Sequence, residues 1–271
     1  MPPAAPSRAP RAAALAASSA APAARSRRAP RARAAPRGAP PPPAPPDAVA
    51  DYNARMDAKM GWSASGLDPF RYHPARGLYL HALTPSLLVG TQPLHGDDVA
   101  TLASEHGVTH VVCLQQDKDA REWGVDLGAV AAAAASLGLA HHRAPATDFD
   151  PADLRRALPS AVRAIERGVA AGGRVYVHCT AGLGRAPAAA VAYLFWFGGE
   201  AHGTHTLDDA HRHVTAVRPC GPKVEAVRGA TYDLAAAPGT RPLDHLPRDA
   251  FGGLSGEERE RVRRRVREGS F

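Results

Sequence analysis

The sequence has no acidic residue before Asp47, and this absence decides how its net charge is interpreted. The 271 residues carry 33 Lys and Arg against 26 Asp and Glu, a formal charge of +7. Eight arginines of Met1–Pro46 supply all of that excess, because the other 225 residues hold 25 basic and 26 acidic side chains. Affinity for nucleic acid depends on clustered Lys and Arg, so the sequence does not predict a nucleic-acid-binding domain.

Cysteines, long apolar runs and aromatic residues are also scarce. Three cysteines are too few, and odd in number, for a secreted disulfide framework, so we expect a reducing or redox-variable compartment. No apolar run reaches the roughly 18 residues of a bilayer-spanning helix; the longest candidate is Ala186–Gly199. The sequence therefore predicts no membrane partner. With only 15 aromatic residues in the chain, a site that gathered five of them would use a large share.

The first 46 residues consist almost entirely of Ala, Pro, Arg and Ser. An Arg-rich, Ser-containing N-terminus without acidic residues is typical of organelle transit peptides, and it lacks the compact apolar stretch of a secretory signal. So much Pro and Ala cannot form a packed core. We predict a disordered plastid transit peptide over residues 1–46, with a mitochondrial address or a plain disordered tail as the alternatives.

The rest of the chain alternates between short apolar strands and Ala- and Leu-rich helices, which is typical of an α/β sheet flanked by helices. Leu78–Leu83 and Ser86–Val89 predict an early hairpin, and Thr109–Leu114 (THVVCL) predicts a buried central strand. Pro151 opens a long amphipathic helix. Arg174–Cys179 predicts the next strand, with two glycines in the turn after it. The length suits one large domain, or one domain with an appendage.

The decisive motif is the segment His178–Arg185 (HCTAGLGR), which lies between that strand and the next predicted helix. Its glycines let backbone N–H groups converge on an anion, and the helix adds the positive end of its dipole. These dipoles and Arg185 favour the thiolate form of Cys179, which is a nucleophile, while the planar guanidinium can bind two phosphoryl oxygens. The motif predicts a cysteine-dependent phosphatase, the alternative being a buried cysteine beside an ordinary helix-starting turn. The predicted phosphate-binding loop comprises His178, Thr180, Ala181, Gly182, Leu183 and Gly184.

Cleavage of a phosphate ester also requires an acid that protonates the departing oxygen. Asp148 and Asp150 lie 31 and 29 residues before Cys179, in a predicted loop. Asp150 directly precedes Pro151, a position that suits the N-cap of the long helix. Asp148 is then the freer carboxylate. We predict Asp148 as the general acid, with Asp150 as the alternative.

Together these motifs resemble the phosphoglucan phosphatases of plants and algae, dual-specificity phosphatases related to the animal glycogen phosphatase laforin, and above all the members without a carbohydrate-binding module. The resemblance runs from about Asp51 to Val266. Its Gly-Arg-Ala-Pro ending is specific, because general dual-specificity phosphatases place Ser or Thr where this chain has Ala186. The segments that carry the resemblance are DYN (51–53), VGTQP (89–93), LQQDKD (114–119), WGVDL (123–127), DFDP (148–151), HCTAGLGRAP (178–187), RPCGP (218–222) and RGATYDL (228–234).

The resemblance implies the dual-specificity phosphatase fold, an α/β domain with a central sheet flanked by helices. This domain would cover residues 47–236, with an N-terminal recognition region at 51–92. Residues 237–271 would form an integrated C-terminal extension packed on the domain. Within the extension, the charge run Glu257–Arg267 predicts a solvated helix in which two valines, four residues apart, face the domain.

For function, the resemblance implies removal of phosphate from starch glucans such as amylopectin, at the granule surface in the chloroplast stroma. Cys179 would be the nucleophile, Arg185 the phosphate clamp and Asp148 the acid and base. Carbon 3 of glucose is the expected position, and no metal or other cofactor is implied. We expect a monomer. The alternatives are a general protein or phosphoinositide phosphatase, although phosphoinositide enzymes tend to have Lys in the loop, and a non-catalytic glucan-binding scaffold.

Glucan chains present apolar ring faces as well as hydroxyl groups, so a glucan channel should contain aromatic side chains. Each candidate could instead be a core residue. The channel aromatics implied by the resemblance are Phe70, Tyr72, Trp123, Phe149 and Phe251.

The remaining cysteines and histidines lead to two further predictions. Cys113 ends the predicted central strand, at the sheet edge that approaches the phosphate loop. We predict a reversible Cys113–Cys179 disulfide that silences the enzyme and is reduced by thioredoxin, the alternative being a buried inert thiol; Cys220 is interpreted as structural. The histidines between His202 and His213 lack the spacing of a metal site, so we expect them at the surface.

Overall fold

The computed structural model describes residues 78–236, 246–247 and 250–271. The predicted transit peptide, most of the predicted recognition region and the aromatic residues Phe70 and Tyr72 lie outside the described residues. Within them, five strands form one sheet in the order β1-β2-β5-β3-β4. The strands are β1 (Leu80–Thr84), β2 (Leu87–Gly90), β3 (His110–Cys113), β4 (Ala140–Arg143) and β5 (Val175–His178).

The sheet is parallel except for the predicted hairpin, in which β1 and β2 pair antiparallel. Strand β5 lies between β2 and β3 and runs parallel to both. The register places Cys113, the last residue of β3, opposite His178, the last residue of β5. Because parallel strands end at the same sheet edge, the chain segments that follow β3 and β5 emerge side by side.

Helices cover both faces of the sheet, and the side chains of β5 alternate between these two faces. Val175 and Val177 pack in one hydrophobic cluster with the helices that begin at Pro151, Arg185, Leu207, Val224 and Gly256. Tyr176 packs in a second cluster with the helices that begin at Gly96, Asp117 and Leu127. Successive strand side chains point to opposite faces, so this fully buried strand contributes to both clusters. The predicted α/β class is confirmed. The helices are α1 (Gly96–Ser104), α2 (Asp117–Glu122), α3 (Leu127–Ser136), α4 (Pro151–Ala170), α5 (Arg185–Tyr193), a π-helical segment (Leu194–Gly198), α6 (Gly199–His202), α7 (Leu207–Val217), α8 (Val224–Ala235) and α9 (Gly256–Glu268).

The C-terminal helix α9 differs from the solvated helix that its charge run predicts. Val262 and Val266 are fully buried, as predicted. Several of its arginines, however, donate hydrogen bonds to carbonyl oxygens of other elements instead of only facing solvent. Arg265 contacts the carbonyl oxygen of Asp233 at 2.9 Å and Arg261 that of Ala235 at 2.6 Å. These oxygens lie in the last turn of α8, where a helix leaves its carbonyl groups without internal partners and basic side chains stabilise them.

None of the helices in the described part of the chain is long and apolar enough to cross a membrane.

Candidate active site

The predicted phosphate-binding loop connects the end of β5 with the start of α5. Its backbone is bound to the segment that follows β2, since the N–H of Gln92 donates to the carbonyl oxygen of Thr180 at 2.9 Å. Gly182 has a φ of +67°, and a Cβ atom at this position would lie 2.3 Å from the carbonyl oxygen of Gly90. Only glycine satisfies both conditions, because it alone lacks the Cβ and adopts left-handed backbone without strain.

A cavity of about 400 Å³ opens over this loop. Cys179, Arg185 and Asp148 line it together with the aromatic residues Trp123 and Phe149. Cys179 is 3% exposed and Arg185 2% exposed, so the thiol and the guanidinium are largely shielded from bulk water. Five side chains that the sequence analysis selected, from three separate segments of the chain, therefore line the same cavity.

One wall of the cavity was not anticipated from the sequence. Pro219, Cys220, Gly221 and Lys223, in the connection between α7 and α8, also line it. Cys220, interpreted above as structural, thus faces the candidate site. Burial raises its pKa to about 11, so its thiol is neutral. The only available signal was that RPCGP is one of the segments that carry the family resemblance.

Arg185 is held on two sides by hydrogen bonds. Its Nη1 donates to the carboxylate of Asp119 and, at 2.9 Å, to the carbonyl oxygen of Ala146. Its Nη2 lies 3.1 Å from the hydroxyl oxygen of Thr180 and 3.1 Å from Oδ2 of Asp148. Burial by itself would lower the pKa of Arg185, but the negative charges around it raise that pKa overall. The guanidinium is a permanent cation at this position.

A second arginine, Arg218, lies behind the loop and was also missed. It is fully buried, and burial lowers its pKa. Its Nε donates to the carbonyl oxygen of Gly182 at 2.8 Å and its Nη2 to that of Ala181 at 3.1 Å. These bonds satisfy two loop carbonyl groups and hold a second guanidinium beside the predicted phosphate-binding loop.

The two candidate acids occupy different environments, as the sequence argument requires. Asp150 caps α4, accepting hydrogen bonds from the N–H groups of Ala152 and Asp153 at 2.9 and 3.0 Å. The side chain of Asp148 is about one-third exposed, lines the cavity and contacts Arg185. The carboxylate without a capping role is therefore the one that contacts Arg185, in the cavity that Cys179 also lines.

Of the predicted channel aromatics that the structure describes, two line the cavity and one does not. Trp123 and Phe149 line the cavity, with Trp123 buried and Phe149 64% exposed. Phe149 has a φ of +61°, an unusual conformation for a bulky residue that often occurs at functional sites. Phe251 also has a left-handed backbone conformation. It is not among the described residues that line the cavity. Its ring packs against the first hydrophobic cluster, with its centroid 6.1 Å from that of Tyr232.

His178 and Cys113 lie beneath the loop. His178 is fully buried, and burial lowers its pKa to about 4, so its ring is neutral; Nδ1 lies 3.1 Å from the carbonyl oxygen of Cys179. Cys113 is fully buried, and burial raises the pKa of its thiol. All three cysteines are free thiols. Among the described residues, no group of three or more His, Cys, Asp or Glu side chains could hold a metal ion.

Comparison with known proteins gives a family model, solved structures and curated sequences that are similar to parts of this chain. Residues 90–199 match the family model described as "Polymorphic toxin system, DSP-PTPase phosphatase". The solved structures include PTPMT1, 20% identical with a TM-score of 0.46 over 55% of this chain and 91% of that chain. Another is human DUSP28, 26% identical with a TM-score of 0.44 over 58% of this chain and 95% of that chain.

Two curated plant proteins are similar over a larger part of the chain. "Phosphoglucan phosphatase DSP4, amyloplastic" of Castanea sativa is 39% identical over 168 residues, which cover 60% of this chain and 42% of that protein. "Phosphoglucan phosphatase LSF1, chloroplastic" of Arabidopsis thaliana is 32% identical over 192 residues, covering 69% of this chain and 31% of that protein. The chain thus matches less than half the length of either relative. Residues 90–199 thus match a dual-specificity phosphatase model, and the chain is similar in sequence to the plant phosphoglucan phosphatases, as its motifs predict.

Proposed function

We propose that this chain hydrolyses phosphate monoesters of starch glucans through a phosphocysteine intermediate. The observation that carries the proposal is the single cavity in which Cys179, Arg185 and Asp148 meet beside two aromatic side chains. The names of the two plant relatives supply the substrate class. Their designations, amyloplastic and chloroplastic, support a plastid location, where amylopectin at the granule surface would be the polymer bound by a monomeric enzyme.

The reaction would proceed in two steps. The thiolate of Cys179 attacks phosphorus, the bond from phosphorus to the glucose oxygen breaks, and Asp148 gives its proton to that oxygen. Water then attacks the phosphocysteine, Asp148 accepts a proton from the water, and inorganic phosphate leaves as the thiolate forms again. Because the transition state is loose, with charge spread over three oxygens, the orientation and positive charge supplied by Arg185 and the loop contribute most of the acceleration.

The aromatic residues would select a glucan over other phosphate esters. Trp123 and Phe149 offer flat apolar surfaces on which glucose rings can stack, and the cavity between them receives the phosphate-bearing unit. We extend this channel to Phe70, Tyr72 and Phe251, which the family resemblance assigns to it, and we propose carbon 3 of glucose as the preferred position. The loop residues His178, Thr180, Ala181, Gly182, Leu183 and Gly184 would bind the phosphate oxygens through backbone N–H groups.

The proposal is tested by measuring phosphate release from solubilised amylopectin, a phosphotyrosine peptide and a phosphoinositide in parallel. We expect the glucan to be the best substrate, with faster release from carbon 3 than from carbon 6. Cys179→Ser provides the background. Trp123→Ala and Phe149→Asn should slow glucan hydrolysis about tenfold or more while changing peptide hydrolysis little; asparagine suits position 149 because it tolerates left-handed backbone.

Two results would contradict this proposal. If the peptide or the phosphoinositide releases phosphate while the glucan gives only the Cys179→Ser background, the chain is a general dual-specificity phosphatase. If the glucan binds and no substrate releases phosphate, the chain is a binding scaffold.

We also propose that Cys113 regulates this site through a disulfide with Cys179. The sheet register supports it, since Cys113 pairs with His178, the residue directly before the nucleophile. Two electrons and two protons would pass from the thiols to an oxidant such as a peroxide, and the dithiol of thioredoxin would reduce the bond again. We expect labelling of Cys113 by a thiol reagent, measured in unfolded protein, to fall after oxidation and to return after treatment with thioredoxin. Labelling that stays the same in oxidised and reduced samples would remove this role.

A further inference from the structure

Asp119 is a buried carboxylate close to the candidate site for which the sequence suggests no task. It lies in the short helix α2 and is 6% exposed. Although 66 residues separate it from Arg185 in the chain, its Oδ2 accepts a hydrogen bond from Nη1 of that arginine. Both side chains are almost fully removed from solvent, with 8% and 2% of their surface exposed. A buried charged pair of this kind is a strong constraint on orientation.

The contacts of the guanidinium leave a specific edge for a ligand. Nη1 is used by Asp119 and by the carbonyl oxygen of Ala146. Nε is buried and has no hydrogen-bond partner among the described residues, and Nη2 contacts Thr180 and Asp148. A buried N–H without a partner is costly. A phosphate that accepts from Nε and Nη2 would satisfy it by the two-point geometry that arginine forms with oxyanions.

The guanidinium is planar, so a contact that holds Nη1 also determines the direction of the opposite edge. Asp119 is suited to this task because α2 itself restrains it: its Oδ2 also accepts the N–H of Gln116, the residue directly before the helix, at 3.1 Å. Asp148, the other carboxylate on Arg185, contacts the Nη2 that the phosphate would use. Phosphate binding would therefore displace Asp148 and leave Asp119 in place.

We infer that Asp119 is a positioning residue, which holds Arg185 so that Nε and Nη2 face the phosphate. This inference rests on the proposed phosphatase function. The segment LQQDKD thereby has a task in the reaction, because the ion pair between Asp119 and Arg185 joins α2 to the end of the predicted phosphate-binding loop. Asp119 itself does not touch the substrate.

The test compares Asp119→Ala and Asp119→Asn with a matched control, Asp126→Ala. Asp126 caps α3 a few residues further along and accepts the N–H groups of Gly128 and Ala129. Two quantities are measured: the affinity for tungstate, a phosphate mimic, by calorimetry, and kcat/KM with para-nitrophenyl phosphate. We expect Asp119→Ala to lower both by about 10- to 100-fold. Asp119→Asn should recover part of each, since its amide oxygen can still accept from Nη1, and Asp126→Ala should lower only the melting temperature.

A double-mutant cycle separates positioning from general support of the fold. If Asp119 acts through Arg185, Asp119→Ala should add little to the loss of tungstate affinity that Arg185→Lys already causes. Additive losses would overturn the inference, as would an Asp119→Ala variant within about twofold of Asp126→Ala in both measurements. Should Asp119→Ala fail to fold, the same cycle is run with Asp119→Asn. An inactive wild-type chain would contradict the proposed function. The affinity for tungstate does not depend on turnover, so it would still decide the role of Asp119.

Discussion

Replacing Arg185 with lysine is expected to lower kcat/KM for phosphate monoesters by about 10³- to 10⁴-fold, since two charge-assisted hydrogen bonds to the transition state are lost. Lysine keeps the positive charge but places it at one point, without the planar pair of N–H donors. It would also leave the carboxylate of Asp119 and the carbonyl oxygen of Ala146 with poorer partners in a buried site. Steady-state kinetics with para-nitrophenyl phosphate and with solubilised amylopectin measure the loss.

The matched control for this exchange is Arg155→Lys. Arg155 also forms a two-point ion pair, with Nε 2.6 Å and Nη2 2.5 Å from the carboxylate oxygens of Asp233, but it does not line the cavity. The control should lose some thermal stability and keep its kcat/KM. An Arg185→Lys enzyme that retained more than about a tenth of wild-type kcat/KM would show that two-point phosphate binding is not required.

Replacing Asp148 with asparagine is expected to lower kcat by about 10²- to 10³-fold for the glucan, because the variant has no proton to give to the departing oxygen. The loss should be smaller with para-nitrophenyl phosphate, whose leaving group is stable as an anion and needs less protonation. The alkaline limb of the kcat profile, which reports the proton carried by the acid, should also disappear. Measuring kcat against pH for both substrates tests all three effects.

Asp150→Asn controls for the removal of a carboxylate from this loop. Asparagine is as good an N-cap as aspartate, so α4 should remain capped and both the activity and the melting temperature should stay close to wild type. The assignment of the acid is reversed if Asp150→Asn loses the alkaline limb and Asp148→Asn keeps it.

Local patterns in the sequence were sufficient for much of the fold and of the site. The apolar run before Cys179 and the glycines after it predicted a strand, a tight turn and a helix, and β5 and α5 follow that order. The position of Asp150 next to Pro151 predicted an N-cap, which its two backbone hydrogen bonds confirm. These predictions succeed because their causes, side-chain periodicity and capping, act within a few residues of chain.

The contacts that the sequence did not predict join distant segments. Asp119 and Arg185 are 66 residues apart, and Arg218 reaches the carbonyl oxygen of Gly182 across 36 residues. The sequence predicts a structural role for Cys220, whereas the fold places it, with the connection between α7 and α8, at the cavity wall. Nothing in the local sequence around these side chains distinguishes them from other surface or core residues. Their contacts with the candidate site become apparent only in the folded chain.

The sequence by itself therefore predicted the side chains of the proposed chemistry: a thiol, a guanidinium and a carboxylate around a glycine-rich loop. It also showed that an N-terminal segment carries the whole excess of positive charge. Tertiary structure decided which charges meet. The five strands bring the ends of β3 and β5 to one edge, and α2 then places Asp119 against Arg185. The same holds for α9, whose arginines bind the last carbonyl groups of α8. The partner of a buried or half-buried charge depends on distances in the folded chain, and no local pattern contains them.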